Sequence, residues 1–142
     1  MPDYVLMTEM NGLIPAAFLV QALDDDQDGA ADSTAWRDVL AQVHRAIDGP
    51  LSVRYTVPFA NPLPPIVAEA APIFAAELLY KRRGMSGENN PWEKQAADVR
   101  AKLERVAAGE LPIFPTTPRA QPSAAIVTEP SRATSRRGRS AI

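Results

Sequence analysis

The chain has no cysteine among its 142 residues. That excludes a disulfide framework and any thiolate metal site, so the fold must rest on packing. Long apolar runs are also missing: no stretch approaches the roughly 18 residues needed to cross a bilayer. The opening MPDYVLMTEM lacks a basic region followed by a signal-type apolar core. A soluble, intracellular product without a membrane partner is the simplest expectation. Histidine occurs once, as His44, beside an apolar stripe and with no nucleophile near it in sequence. It reads as a boundary residue rather than a general base, and an enzyme is the least favoured class.

Proline is what the chain has in excess. Its 14 prolines are about twice the average share of roughly 5%. Hydrophobic content of 46% is ordinary for a globular protein, and the length suits one compact domain burying roughly two-thirds of the surface its unfolded chain exposes. The formal net charge of −2 hides an asymmetry. Residues 1–115 carry 10 basic and 16 acidic side chains, whereas residues 116–142 carry five arginines against Glu129 alone. Phosphate binding depends on Lys and Arg contacts, so an acidic body argues against wrapping nucleic acid, and DNA or an acidic partner would meet the tail.

The pattern is helical almost throughout. Thr8 is a candidate cap for a short helix running to about Leu13, and Pro15 can open a second carrying Phe18, Leu19, Ala22 and Leu23. Ser33 or Thr34 can cap a longer helix with Trp36, Val39, Leu40, Val43, Ile47, Leu51 and Tyr55 on a 3.6-residue rhythm. This is the expected central helix, kinked or broken at Gly49 and Pro50. VPFANPLPP, with four prolines, reads as a stiff extended connection. Beyond it, a helix over 66–83 places Val67, Ala70, Phe74, Leu78 and Leu79 inward, kinked or started by Pro72, with alanines that permit close contacts. Asn90 can cap and Pro91 open the last helix, where Trp92, Ala96, Val99, Leu103 and Val106 form a coiled-coil-like seam closed by Gly109. The expected fold is all-α, a bundle of about four to five helices over residues 1–110. Trp36 and Trp92 are assigned to core packing.

From residue 111 the composition turns to Pro, Ala, Ser, Thr and Arg, from which no core can form. Residues 111–142 therefore read as an extended arm, able to reach about 100 Å at roughly 3.3 Å per residue. Its arginines Arg119, Arg132, Arg136, Arg137 and Arg139 are candidate partner-binding residues. So are Lys81, Arg82 and Arg83, although a basic cluster in the last turn of a helix is already favoured by the helix dipole.

The acidic loop DDDQDGAAD spans residues 24–32 and resembles the front half of a calcium loop. Asp24, Asp26 and Asp28 sit at the first three ligand positions, and Gly29 stands where such a loop turns sharply. Asp32 can contribute as a fourth carboxylate, but position twelve is Ala35, where the bidentate glutamate belongs. Two readings stay open: a weak calcium site, with water and backbone carbonyls completing the shell, or a turn whose carboxylates favour the next helix N-terminus. The turn is preferred, and no cofactor is expected otherwise.

YVLMTEMNGLIP, ALDDDQDGAAD, AIDGPLSVRYTVPFANPLPP and ELLYKRRG occur in that order. Together they resemble the Mu-like phage neck family over about residues 3–113, most specifically where the acidic loop accompanies Ile47-Asp48-Gly49, Arg54-Tyr55 and the proline connection. Pro50 after Gly49 and the basic arm depart from the usual pattern. The resemblance implies a head-to-tail adaptor located in the virion neck, and in host cytoplasm during assembly. It would form a ring of about twelve copies bridging the portal protein to a downstream neck, stopper or tail-terminator protein, and DNA would pass without sequence recognition. A calcium-stabilised interaction module and a small DNA-packaging or DNA-binding protein acting through the arm are the alternatives.

Overall fold

The structure, a computed structural model, describes residues 3–114. Its elements are a 3-10 turn Met7–Gly12, α1 Ala16–Leu23, α2 Ser33–Leu51, α3 Pro65–Arg82, a 3-10 turn Gly87–Asn89 and α4 Glu93–Ala107. No strand occurs among the described residues, and the expected all-α bundle is what forms. α2, α3 and α4 pack on one another, while α1 and the first turn lie against α3.

The apolar rhythm of α2 does what its spacing predicts. Trp36, Val39, Leu40, Val43, Ile47 and Leu51 are all buried. Asp32, rather than Ser33 or Thr34, occupies the N-cap position. The helix does not break at Gly49; it continues through Pro50 to Leu51. Pro50 lies in the last turn, where it removes only one intrahelical donor. The chain beyond is held by Ser52 N–H donating to the Asp48 carbonyl at 2.8 Å and Tyr55 N–H to that of Leu51 at 2.9 Å. Tyr55 therefore stands past the helix end, not on its stripe.

The more embedded helix is α3, which touches α1, α2, α4 and the first turn. Ala70, Ala71, Ala75 and Ala76 are wholly buried around Phe74 and Leu79, while Leu78 is half-buried. Small side chains let neighbours approach on several sides, so α3 has no clean apolar stripe of the kind α2 carries. Pro65 takes the first helical position, where its missing N–H costs nothing. Pro72 lies inside the helix without ending it.

At the amino end, Leu6 rather than Thr8 occupies the cap, its N–H donating to the Glu9 carboxylate at 2.8 Å. In place of the helix expected to Leu13 stands the 3-10 turn Met7–Gly12, anchored by the buried Met10. α4 buries Ala96, Val99, Leu103 and Val106, with Trp92 half-buried at its start. It closes through Gly109, at φ +84°. Gly109 N–H donates to the Val106 carbonyl at 3.0 Å and Glu110 N–H to that of Arg105 at 2.8 Å, the paired bonds of a left-handed helix stop. Leu111 and Ile113 then pack on the core.

Candidate interaction surfaces

The acidic loop folds around its own backbone. Asp24 accepts N–H bonds from Asp28 at 3.0 Å and Gly29 at 2.9 Å, and Asp28 accepts one from Ala30 at 2.9 Å. Asp32 turns away from α2 and accepts from Asp25 at 2.8 Å and Asp26 at 3.3 Å. Its carboxylate thus shapes the loop rather than capping the helix. One oxygen from each of Asp24, Asp26, Asp28 and Asp32 lies within 4.8 Å of the others, so the four candidate ligands do converge. Position twelve is Ala35, buried in α2 at 1% exposure, and offers no ligand oxygen. The carboxyls titrate unequally. Loss of water pushes Asp24 upward, but the Gly29 and Asp28 N–H groups outweigh it and hold its pKa below the ordinary value. Loss of water and the neighbouring Asp24 and Asp28 carboxyls raise that of Asp26.

The basic run at the end of α3 is engaged within the molecule. Lys81 Nζ lies 3.4 Å from Glu77. Arg82 Nε donates to the Ala22 carbonyl at 2.8 Å, and its guanidinium also donates to Asp25 of the acidic loop. Arg83 donates to Gln21 and lies over the Phe18 ring, 5.2 Å from its centroid, while that ring stacks on Tyr80. Arg82 and Arg83 fasten the end of α3 to α1 and the loop, Lys81 pairs within α3, and all three keep exposed surface. Arg119, Arg132, Arg136, Arg137 and Arg139 lie outside the described residues.

A groove of about 880 Å³ runs along the outer face of α2, bounded by Arg37, Leu40, Ala41, His44, Arg45, Asp48 and Ser52 with Asp3 and Val57 opposite. His44 is a buried residue of its floor, 7% exposed, rather than a boundary residue. The Tyr4 ring stacks on it at 3.9 Å between centroids, and His44 Nδ1 makes no hydrogen bond while lying 3.8 Å from Asp48. Tyr4 Oη donates to Asp48 at 2.7 Å and accepts the Phe59 N–H at 2.8 Å. One phenol thus joins the amino-terminal segment, α2 and the proline connection. That connection has no regular helix, and its Val57–Pro58 and Asn61–Pro62 peptides are cis. Neither Tyr4 nor Asp48 was legible as a pair across 44 positions of sequence; an unmatched Tyr before the first turn was the one available signal.

Burial and the bond to Asp48 raise the Tyr4 pKa above its ordinary 10.0. The folded phenol holds its proton where the unfolded one loses it, so this contribution is complete below about pH 10 and falls as pH rises toward the folded value. Tyr4→Phe is expected to lose about 1–2 kcal/mol at pH 7. The gap to the parent should narrow between pH 9 and pH 11 in urea unfolding; a gap constant with pH would contradict this account.

A family model described as Bacteriophage Mu, Gp36 matches residues 4–128. The chain belongs to that family. Neither the curated proteins nor the solved structures yield a match. The Gp36 match takes in the whole described body from Tyr4 onward, including the acidic loop, the α3 clasp and the α2 groove. It continues past Phe114, the last described residue, into the arm. On this chain the match therefore covers the acidic body and residues 115–128 of the segment that follows it.

Proposed function

We propose that this protein is the head-to-tail adaptor of a Mu-like phage particle. Copies form a ring between the portal protein and the next neck, stopper or tail-terminator component, with DNA passing through. The observation that carries this reading is the match to the phage Mu Gp36 family across body and arm. The physical features suit it. A helical body with six more acidic than basic side chains over residues 1–115 repels passing DNA rather than gripping it. An extended arm can cover a large partner surface for its length. The exposed parts of Lys81, Arg82 and Arg83, with the arm's arginines, supply cations for the portal or a neighbouring copy.

The test is negative-stain imaging of particles produced with and without the gene. DNA-filled heads lacking tails are expected in its absence, and normal tailed particles would sink the reading. The acidic loop acts here as a rigid turn held by its own backbone and by Arg82. Millimolar calcium is accordingly expected to leave the melting temperature within about 1 °C of its calcium-free value, because binding only the folded state is what raises it. A rise of several degrees would assign the loop a metal.

A further inference from the structure

We propose that the α2 groove receives residues 123–129 from the arm of a neighbouring copy of this chain. The inference rests on the side-by-side assembly proposed above and names the surfaces that meet.

The groove and the segment match in length. From Arg37 to Ser52 the groove follows α2 for about 22 Å at 1.5 Å per residue. Seven extended residues cover about 23 Å, and residues 123–129 read SAAIVTE. Chemistry matches as well. Ala124, Ala125, Ile126 and Val127 supply an uncharged apolar run for a groove presenting Leu40, Ala41 and Val57. Arg37 and Arg45 flank the groove and form no ion pair among the described residues. Glu129, the one acid of residues 116–142, follows the apolar run directly after Thr128 and can meet Arg37 at that end of the groove. The Gp36 family match ends at 128, at the close of this run, so the run falls within the family's sequence pattern.

Two features allow the partner to be a neighbouring copy. Phe114 is 57% exposed where the arm leaves the body, and Val53, beside the Ser52 end of the groove, is 74% exposed. Apolar groups this open suit a contact between copies. The ten residues from Phe114 to Ala124 reach about 33 Å, enough to leave one body and enter the next.

A chain without cysteine allows a direct test with full-length protein. Ala41 is exposed on α2, so Ala41→Cys alters the groove without disturbing the core. Ala41→Cys protein is mixed with affinity-tagged Ile126→Cys protein under mild oxidation, and the tag's mass separates mixed dimers from like pairs. A mixed disulfide dimer at least tenfold above a control of Ala97→Cys with tagged Ile126→Cys is expected; Ala97 is exposed on α4, away from the groove. The double variant Ala41→Cys/Ile126→Cys is expected to give a ladder of linked copies. A single monomeric band with an internal disulfide would overturn the proposal by placing the arm in its own groove. Yield no greater than the control would overturn it by removing the docking site. Because this uses purified protein, its failure leaves the adaptor reading standing, whereas tailed particles without the gene would end that reading and leave the disulfide result intact.

Discussion

Arg100→Ala is expected to lower the unfolding free energy by about 2 kcal/mol, whereas Glu77→Met combined with Arg100→Met should return it to near or above the parent value. Glu77 is 1% exposed in the most buried helix of the bundle. Arg100 donates to its Oε1 at 2.9 Å, and Lys81 lies 3.4 Å from Oε2, which accepts no hydrogen bond among the described residues. The Arg100 guanidinium also covers the Phe74 ring at 5.0 Å from its centroid. Removing the arginine leaves a carboxylate away from water with one weak partner. Removing both charges restores an apolar contact among α2, α3 and α4 and leaves Lys81, whose side chain is 45% exposed, free to return to water. Arg100 is itself 46% exposed, so water can partly replace it, which is why the loss falls below the 3–5 kcal/mol typical of a fully enclosed pair. Urea midpoints of the single and double variants decide it. A loss under 0.5 kcal/mol for Arg100→Ala would mean that Glu77 draws its stabilisation from elsewhere.

Asn90→Ala is expected to be worse, costing about 2–3 kcal/mol and roughly 10 °C in melting temperature for a body of this size. Asn90 is 3% exposed. Its Nδ2 donates to the Glu77 carbonyl at 3.1 Å and the Met85 carbonyl at 3.4 Å, and its Oδ1 accepts the Trp92 N–H at 3.0 Å. One amide thus fixes where α4 begins relative to where α3 ends. Asn90→Asp keeps the acceptor for Trp92 but turns a buried carboxylate oxygen toward the Glu77 and Met85 carbonyls, so at neutral pH it should melt no higher than the alanine variant. Equal melting temperatures for all three proteins would remove Asn90 from the account of the α3 to α4 connection.

How much of this was legible beforehand follows the range of each interaction. Local rules worked: the apolar spacing of α2 and α4, Pro15 before α1 and Gly109 closing α4 depend on neighbours within a turn or two, whereas Pro65, read as the end of the proline connection, is the first residue of α3. Asn90 was expected as a cap, and it does bond the Trp92 N–H, but its ties to Glu77 and Met85 depend on how α3 and α4 meet. His44 and Pro50 were misread for a related reason. A residue beside an apolar stripe is buried or exposed according to what lies over it, and the cover on His44 is Tyr4, 40 positions away. A proline disturbs the turn before it, through its missing N–H and its ring, yet α2 stays helical through that turn and ends one residue past Pro50. For the surfaces, the convergence of the acidic carboxylates was legible in their spacing, but the clasp of Arg82 and Arg83 onto Ala22, Asp25 and Gln21 was not. Those pairs join residues about 60 positions apart.

The alanines of α3 have a mechanical consequence. A methyl group has no rotamers, so Ala70, Ala71, Ala75 and Ala76 give the centre of the bundle few alternative packings into which it could yield. Load applied to one outer helix should therefore reach the others with little deformation, and the body would act as a stiff strut.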